Sequence, residues 1–387
     1  MKKKRAPTFS ERLGLAIPDP KGRRVIWIHA ISVGETKAAQ PLFERLKADH
    51  PEAFFLVTHT TATGRQEAKR SLSSADAFAY MPLDFPWIMN RWAKTLRPSH
   101  FLLIEGDFWF NQLQALKRQG TKIILASGKI SERSASRFSK IPFFSKQLFG
   151  VFDLFCVQSD EYATRFAPFV KSSVVTGNLK FDVKPQSLSP PASLHRYQKP
   201  MITLGSTHAL EEKFLLAALK PFFAHYTILL APRHPERLEE VKKLLQSQGI
   251  SYSLWSELER ASGEETVILV DLMGQLSICY AISQLAFVAG SFVDGVGGHN
   301  MLEPCLYGCP SLFGPYTYTQ KELVSYVLQA RAGMQLDVSQ VASVIEGYLQ
   351  DPISLTAMRA SALALSKGTG KVSETTCFLM KEKSIWK

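Results

Sequence analysis

Short apolar runs of strand length recur along this 387-residue chain, and each is followed by a loop and a segment of helical character. Such runs are typical of buried parallel strands. Because strands and helices alternate throughout, the sequence predicts an α/β fold with parallel sheets and helices on both faces. The predicted strands are 25–30, 54–58, 100–104, 122–126, 154–157 and 174–176 in the first half, and 202–204, 227–230, 267–270, 285–289 and 311–313 in the second.

A proline-rich stretch divides the chain into two halves. Residues 182–200 read DVKPQSLSPPASLHRYQKP, with four prolines and few apolar side chains, which indicates a linker. The length also suits two domains. We therefore expect a Rossmann-like domain over residues 1–182, a linker over 183–200, a second Rossmann-like domain over 201–365, and a C-terminal helix over 366–387 that packs back on the first domain.

The stretch from Gly290 to Pro315 carries the strongest indication of a ligand site. It reads GSFVDGVGGHNMLEPCLYGCPSLFGP, a glycine loop between two strand-like runs. Asn300 is expected to cap a helix that starts at Met301, with Glu303 three residues after the cap. Glycines let a ligand approach the backbone, and a helix start attracts phosphate. The pattern favours a nucleotide site; a plain βαβ unit, with Glu303 only in a capping box, is the alternative.

Two further loops follow predicted strands of the second half, namely 205–208 (GSTH) and 233–235 (RHP). Ligands bind at the carboxyl ends of parallel strands, where hydroxyls and an arginine can hold phosphate and a carboxylate can accept from both ribose hydroxyls. For the histidines of these loops, an ordinary structural role is an equal alternative. The predicted nucleotide-binding residues are Gly205, Ser206, Thr207, Arg233, His234, Gly290, Ser291, Gly298, Asn300 and Glu303.

In the first half, Glu35 follows the predicted strand 25–30 at a strand-to-helix turn, where α/β proteins place catalytic groups. The spacing Ser32-x-x-Glu35 also fits a capping box, which is the structural alternative. Lys129, Arg133 and Arg137 follow another strand and are suited to bind an anionic group, although a solvated basic loop is equally consistent.

Charge and motif content narrow the class of function. The chain has 46 Lys and Arg against 34 Asp and Glu, a net charge of +12, which favours an anionic partner. The basic residues are dispersed, so we expect no nucleic-acid partner. No Walker A, HExxH or DxD-like motif follows a strand, and the five cysteines do not form a zinc pattern, so no metal site and no cofactor are predicted. No apolar run reaches bilayer-spanning length.

Five motifs, in order and over most of the chain, resemble those of the Kdo (3-deoxy-D-manno-octulosonic acid) transferases of lipopolysaccharide assembly. Two departures stand out: no membrane-anchoring apolar segment is found, and residues 105–111 read EGDFWFN where the family has an ETELWPN-like motif. The matching motifs are 27–35 (WIHAISVGE), 176–182 (TGNLKFD), 205–208 (GSTH), 231–237 (APRHPER) and 297–304 (GGHNMLEP).

The resemblance implies a GT-B fold, with two Rossmann-like domains facing a central cleft. It implies an inverting, metal-independent transfer of Kdo from the donor CMP-Kdo to a lipid A precursor, lipid IVA. Glu35 would be the general base, with Gly34, Lys129, Arg133 and Arg137 at the acceptor. The enzyme would work at the cytoplasmic face of a Gram-negative inner membrane, here by peripheral contact through Lys2–Arg5 and the first-half loops. The sequence leaves the oligomeric state open.

Two other functions share some of these features. A nucleotide-sugar epimerase of GT-B architecture would act on a UDP-sugar without a lipid acceptor. A non-catalytic protein that binds anionic membranes would need only the excess of positive charge.

Overall fold

The chain forms two compact units in a computed structural model that describes residues 9–185, 188–365, 367 and 371–386. Unit 1 comprises residues 1–183 and 369–387, and unit 2 comprises residues 184–368. The basic cluster Lys2–Arg5 lies outside the described residues. In the described part of the chain, no helix is both long enough and apolar enough to cross a bilayer.

Each unit contains one sheet. The strands of unit 1 are β1 (Val25–His29), β2 (Phe54–His59), β3 (Ala77–Tyr80), β4 (His100–Ile104), β5 (Lys122–Gly128), β6 (Leu154–Val157) and β7 (Val174–Val175). Those of unit 2 are β8 (Met201–Thr207), β9 (Thr227–Pro232), β10 (Tyr252–Leu254), β11 (Val267–Leu269), β12 (Ser283–Val288), β13 (Ser311–Phe313) and β14 (Gly333–Gln335).

Helices follow most strands, and the last helix of the chain belongs to unit 1. The helices are α1 (Phe9–Arg12), α2 (Val33–Asp49), α3 (Ala62–Ser71), α4 (Pro86–Leu96), α5 (Phe110–Arg118), α6 (Glu132–Ser139), α7 (Pro142–Phe149), α8 (Asp160–Phe166), α9 (Glu211–Leu219), α10 (Leu238–Ser247), α11 (Leu276–Ile282), α12 (Leu302–Cys305), α13 (Lys321–Gln329), α14 (Val341–Gln350), α15 (Pro352–Leu365) and α16 (Lys371–Glu382). Short 3₁₀ turns span Leu179–Asp182, Ala192–Arg196, Lys220–Phe222, Pro235–Arg237, Trp255–Arg260 and Val338–Gln340.

Strand order gives each sheet a point where the direction of winding reverses. The orders are β3-β2-β1-β4-β5-β6-β7 and β10-β11-β9-β8-β12-β13-β14, and every described strand pair is parallel. The reversal lies between β1 and β4 in unit 1 and between β8 and β12 in unit 2. Doubly wound sheets bind ligands just beyond the carboxyl ends of the strands at this point.

Both faces of each sheet are buried, which explains the uninterrupted apolar runs. In β1, Val25 and Trp27 pack into one core cluster of unit 1, while Ile26 and Ile28 pack into the other, on the opposite face. This follows from the two-residue repeat of a strand. The predicted α/β class with two Rossmann-like parallel-sheet domains is confirmed.

The strands that the sequence did not predict are β3, β10 and β14, each at a sheet edge. They have three or four residues that are mostly half-buried, so their apolar signal is weak. Several predicted boundaries are wrong by one to three residues, and two of these lie near predicted site residues. Strand β8 continues to Thr207, because residues 205 and 207 still pair with β9, and the helix expected from Met301 begins at Leu302.

The final helix, α16, closes one face of the unit 1 sheet. Val372, Met380 and Trp386 belong to the same core cluster as Ile26 and Ile28. Asp182 fixes the start of the helix, since its carboxylate accepts from the N–H and the hydroxyl of Ser373 at 2.6 and 2.7 Å. The helix is therefore part of the core of unit 1.

Candidate active site

A buried carboxylate organises the reversal point of unit 2. Glu211, at the start of α9, is fully buried, and its two oxygens accept four backbone N–H groups from the loops after β8 and β12. Oε2 accepts from His208 at 3.0 Å and from Gly290 at 2.8 Å, and Oε1 accepts from Ser291 at 3.1 Å and from Phe292 at 2.9 Å. Burial raises the pKa of Glu211. Glu211 thus ties the two loops together, a role that sequence reasoning missed.

The hydrogen bonds to Glu211 occupy two backbone N–H groups that we had assigned to nucleotide binding. The N–H groups of Gly290 and Ser291 both point to Glu211. The buried Ser291 hydroxyl donates to the carbonyl of Val288 at 2.6 Å and accepts from the N–H of Gly314 at 2.8 Å. Binding of the sugar nucleotide by Gly290 and Ser291 stays a prediction. In this structure the N–H groups of both residues and the hydroxyl of Ser291 donate their hydrogen bonds within the protein.

The side chains of His208 and His299 meet between the same two loops. Their Nε2 atoms lie 2.8 Å apart, and the rings are nearly parallel, with centroids 5.1 Å apart. The ring of His234 lies edge-on to His208, 5.3 Å away between centroids. Burial, followed by the positive charge of its neighbours, lowers the pKa of His208 to about 4 and that of His299 to about 3.

The remaining predicted residues of this loop hold its local shape. Gly298 has φ of +90° and donates its N–H to the carbonyl of Gly290 at 2.7 Å. The side-chain oxygen of Asn300 accepts from the N–H of Leu302 at 3.1 Å. One oxygen of Glu303 accepts from the Ser277 hydroxyl at 3.3 Å, and this carboxylate is half-buried. Glu303 thus lies on α12, after the loop that follows β12, and ribose binding by its carboxylate stays a prediction.

A cavity of about 100 Å³ opens at the ends of β8, β9 and β11. Its walls include Ser206, Arg233 and residues 270–274, of which Leu272 and Met273 are exposed. Within residues 9–185, 188–365, 367 and 371–386, no carboxylate pairs with the exposed guanidinium of Arg233. The cavity therefore brings together two of the predicted donor residues and a segment, 271–274, that we had not assigned.

Gly205 and Thr207 lie inside the unit, on β8. A Cβ atom at residue 205 would lie 2.3 Å from the hydroxyl of Tyr280, so glycine is needed here for packing. Thr207 is fully buried. Ser206, between them, has φ of +59° and is the residue of the three that reaches the cavity.

In unit 1, Glu35 stands at the reversal point, at the start of α2 after β1. The Ser32 side chain accepts from the N–H of Glu35 at 3.3 Å, and the Glu35 carboxylate accepts from the N–H of Ile31 at 2.6 Å. One of the two hydrogen bonds of the capping box is therefore present, while the Glu35 carboxylate accepts from Ile31 instead of Ser32. Burial and then the negative charge of Glu105 raise the pKa of Glu35, while the Ile31 N–H and the charges of His29 and Lys129 oppose this.

Glu105, directly after β4, forms the other side of the unit 1 reversal point. It is 2% exposed and has φ of +60°. Lys129 Nζ lies 2.6 Å from one carboxylate oxygen and Lys180 Nζ lies 2.9 Å from the other. Burial alone would raise the pKa of Glu105, but the two ammonium groups outweigh it and lower the pKa to about 2. Lys129, predicted to bind the acceptor, is thus paired with a carboxylate.

A second acidic residue after β4 completes this region. Asp107 Oδ2 accepts from the indole N–H of Trp109 at 2.6 Å and lies 3.2 Å from Nε2 of His29. The other ring nitrogen of His29 lies 2.9 Å from the hydroxyl of Thr58. Gly34 is exposed beside Glu35, and Arg133 and Arg137 are exposed on α6. Glu35, Glu105, Asp107 and Lys129 thus follow β1, β4 and β5 at one edge of one sheet.

The sequence of this chain was compared with those of known proteins. A family model described as 3-deoxy-D-manno-octulosonic-acid transferase (kdotransferase) matches residues 7–183. The 3-deoxy-D-manno-octulosonic acid transferase of Chlamydophila psittaci is 32% identical over 352 residues, which are 88% of this chain and 81% of that protein. The chain belongs to the Kdo transferase family. The corresponding protein of Haemophilus influenzae is 31% identical over 87% of this chain and 81% of its own length.

Solved structures at low identity agree in fold. UDP-N-acetylglucosamine 2-epimerase superposes with a TM-score of 0.63 at 13% identity, over 94% of this chain and 98% of that one. MurG of Acinetobacter baumannii superposes with a TM-score of 0.55 at 13% identity, over 93% of this chain and 99% of that one. These likenesses support the predicted GT-B class and nothing further about activity. Family membership makes this Kdo transferase a glycosyltransferase.

Proposed function

We propose that this Kdo transferase moves Kdo from CMP-Kdo to a lipid A precursor, lipid IVA, with inversion at the anomeric carbon and without a divalent metal. The observation that carries the proposal is Glu35, a half-buried carboxylate of raised pKa at the reversal point of the unit 1 sheet. A hydroxyl becomes a competent nucleophile when such a carboxylate takes its proton during attack. A raised pKa makes Glu35 a stronger base while leaving it ionised above that pKa.

In the proposed step, the acceptor hydroxyl loses its proton to Glu35, and its oxygen bonds to the anomeric carbon of Kdo. The bond from that carbon to the CMP phosphate breaks, and its electron pair stays on the phosphate. Direct displacement inverts the centre. Arg233, exposed and unpaired within the described residues, is proposed to meet the phosphate, and Glu303 the ribose hydroxyls. Gly34, Lys129, Arg133 and Arg137 are proposed to meet the acceptor.

A pair of substitutions tests the two roles separately. Glu35→Gln keeps an oxygen for the Ile31 N–H but cannot take a proton, so turnover should fall about a hundredfold or more while CMP affinity stays unchanged. Arg233→Ala removes a charged hydrogen bond worth about 1.5–3 kcal/mol, so CMP affinity should fall at least about tenfold. Radiolabelled transfer from CMP-Kdo and calorimetric titration with CMP measure the two effects.

Glu44→Gln, on the exposed face of α2, is the matched control for the first substitution, and Lys243→Ala, on α10, for the second. Both should behave like the parent enzyme. Near-normal turnover in a folded Glu35→Gln protein would remove Glu35 from the role of base. Unchanged CMP affinity in Arg233→Ala would place the donor elsewhere.

The acceptor is a phosphorylated lipid, and unit 1 presents a surface suited to an anionic bilayer. On α6 and α7 and in the turn between them, the exposed residues include four cations, Arg133, Arg137, Lys140 and Lys146. Between and beside them, Ile141 and Phe143 are 49% and 77% exposed. Phe143 therefore does not pack in the core. We call this group of residues, together with Phe144, the α6–α7 surface.

Two aromatic stacks also lie at the surface of unit 1. Phe144 is 37% exposed and stacks on Phe110, with ring centroids 4.9 Å apart. Phe85 and Trp87, at the start of α4, form another exposed stack with centroids 4.8 Å apart. Basic residues beside apolar ones favour peripheral binding to anionic lipid, here proposed at the cytoplasmic face of the inner membrane.

Flotation with vesicles of phosphatidylcholine and phosphatidylglycerol tests this contact. Each basic residue contributes about 1 kcal/mol, so Arg133→Glu with Arg137→Glu should weaken the vesicle partition at least roughly thirtyfold. Phe143→Ser should reduce the binding that survives high salt, since apolar insertion is not screened. Lys243→Glu on unit 2 is the control and should bind like the parent. Equal binding to neutral and anionic vesicles would contradict the proposal.

A further inference from the structure

The imidazole pair of His208 and His299 can accept one proton beyond the two that it carries when both rings are neutral. With the two Nε2 atoms 2.8 Å apart, one must carry a hydrogen and the other must present its lone pair. A second hydrogen between them would set two N–H groups against each other at that distance. The pair therefore exists as neutral or as singly protonated, and in the second form the two rings share one positive charge.

The fold holds this pair in place at the reversal point of unit 2. His208 follows β8 and His299 lies in the loop after β12, and one oxygen of Glu211 accepts from the backbones of both loops. Gly290 makes room for the ring, since a Cβ there would lie 2.7 Å from the Cδ2 atom of His299. The spacing of the two rings is therefore set by the backbone rather than by flexible side chains.

The charges around the pair come from each neighbouring element. Arg233 and His234 follow β9, Arg237 lies in the 3₁₀ turn after them, and Glu303 lies on α12. Burial first, and then His234, Arg233 and Arg237, lower the pKa of His208. Burial first, and then His208, Arg233 and His234, lower the pKa of His299, where Glu303 opposes the shift. The free protein at neutral pH thus holds an uncharged pair beside positive groups.

We propose that the His208–His299 pair takes up one proton when a nucleotide phosphate binds, so that the site gains a positive charge only in the complex. This rests on the proposed function, which supplies the ligand. A phosphate beside Arg233 offsets the positive neighbours that oppose protonation, and one proton from solvent then occupies the pair. In the reaction the donor diester has one negative charge and departing CMP has two, and the shared proton stabilises the added charge.

Calorimetric titration with CMP in two buffers of different ionisation enthalpy measures the proton uptake directly. Between pH 7.5 and pH 9 the CMP phosphate is already a dianion, since its second pKa is about 6. We expect uptake of about one proton at pH 7.5. While uptake is complete, the Kd should rise about tenfold for each pH unit.

Substitution of either histidine tests whether the proton binds to this pair. His208→Gln and His299→Gln should each abolish the uptake and flatten the pH dependence, while His225→Gln, at an exposed histidine outside the site, should retain both. CMP binding without uptake would overturn this inference and leave the proposed function standing. Uptake that persists in both glutamine variants would assign the proton to another group and also overturn it. Absence of CMP binding to the parent protein would overturn both.

Discussion

Replacing Glu105 by glutamine should destabilise unit 1 by an amount that depends on pH. The carboxylate is almost fully buried and pairs with Lys129 and Lys180 at 2.6 and 2.9 Å. Despite its burial, its pKa is lowered from 4.5 to about 2. At about 1.4 kcal/mol for each pKa unit, this difference corresponds to about 3 kcal/mol of unfolding free energy at neutral pH. Loss of one partner of a buried ion pair typically costs about 3–5 kcal/mol, which agrees.

The sign of the pH dependence follows from the direction of the shift. Because the folded pKa lies below the unfolded one, the stabilisation is complete above about pH 4.5 and is lost as the pH falls towards 2. Glutamine does not titrate. The stability difference between parent and Glu105→Gln should therefore be about 3 kcal/mol at pH 7 and should shrink steadily below pH 4.5.

Urea unfolding followed by tryptophan fluorescence measures this difference. Five of the six tryptophans (Trp27, Trp87, Trp92, Trp109 and Trp386) belong to unit 1, so the signal reports mainly on that unit. Glu132→Gln, at an exposed glutamate on α6, is the control and should change stability by less than about 0.5 kcal/mol. A Glu105→Gln protein as stable as its parent, or a deficit that is the same at pH 7 and pH 3, would refute the reasoning.

The same variant also reports on Glu35. The negative charge of Glu105 is the second cause, after burial, of the raised pKa of Glu35. Without that charge the pKa of Glu35 should fall, and the acid limb of kcat/KM should move to lower pH. An acid limb that stays in place would separate Glu105 from the base.

Two further predictions concern transfer without a divalent metal and the packing of α16 in unit 1. Transfer activity should survive purification followed by excess EDTA, because Arg233 is proposed to meet the phosphate charge; loss of activity that manganese or magnesium restores would contradict this. Met380→Ala on α16 should lower the unfolding free energy of unit 1 by about 2–5 kcal/mol, because the side chain is fully buried, whereas Phe378→Ala, at a residue that is 62% exposed, should change it little. Equal effects of the two substitutions in urea unfolding would contradict the packing of α16.

Sequence reasoning reached the fold because each central strand is buried on both faces and therefore uniformly apolar. It missed β3, β10 and β14, whose few residues lie at sheet edges and are mostly half-buried. At the candidate site, it placed Glu35, Arg233 and Glu303 after strands, as the structure does, and their roles stay predictions. It could not find Glu211, because a glutamate at a helix start has no sequence mark that shows which distant N–H groups it accepts. The pairing of His208 with His299 spans 91 residues and needs the strand order.

The place of α16 in the chain has a consequence for the order of synthesis. Unit 2 is continuous, whereas unit 1 is interrupted by residues 184–368 and is completed only by the helix that follows them. At about 5–20 residues per second, a ribosome needs about 10 to 40 s to make that interruption. During this interval the strands of unit 1 exist without the side chains of Val372, Met380 and Trp386 that cover them. Unit 1 is thus the first unit to emerge from the ribosome but the second to complete its fold. Until then, the uncovered apolar face of its sheet is the surface that a chaperone would bind on the nascent protein.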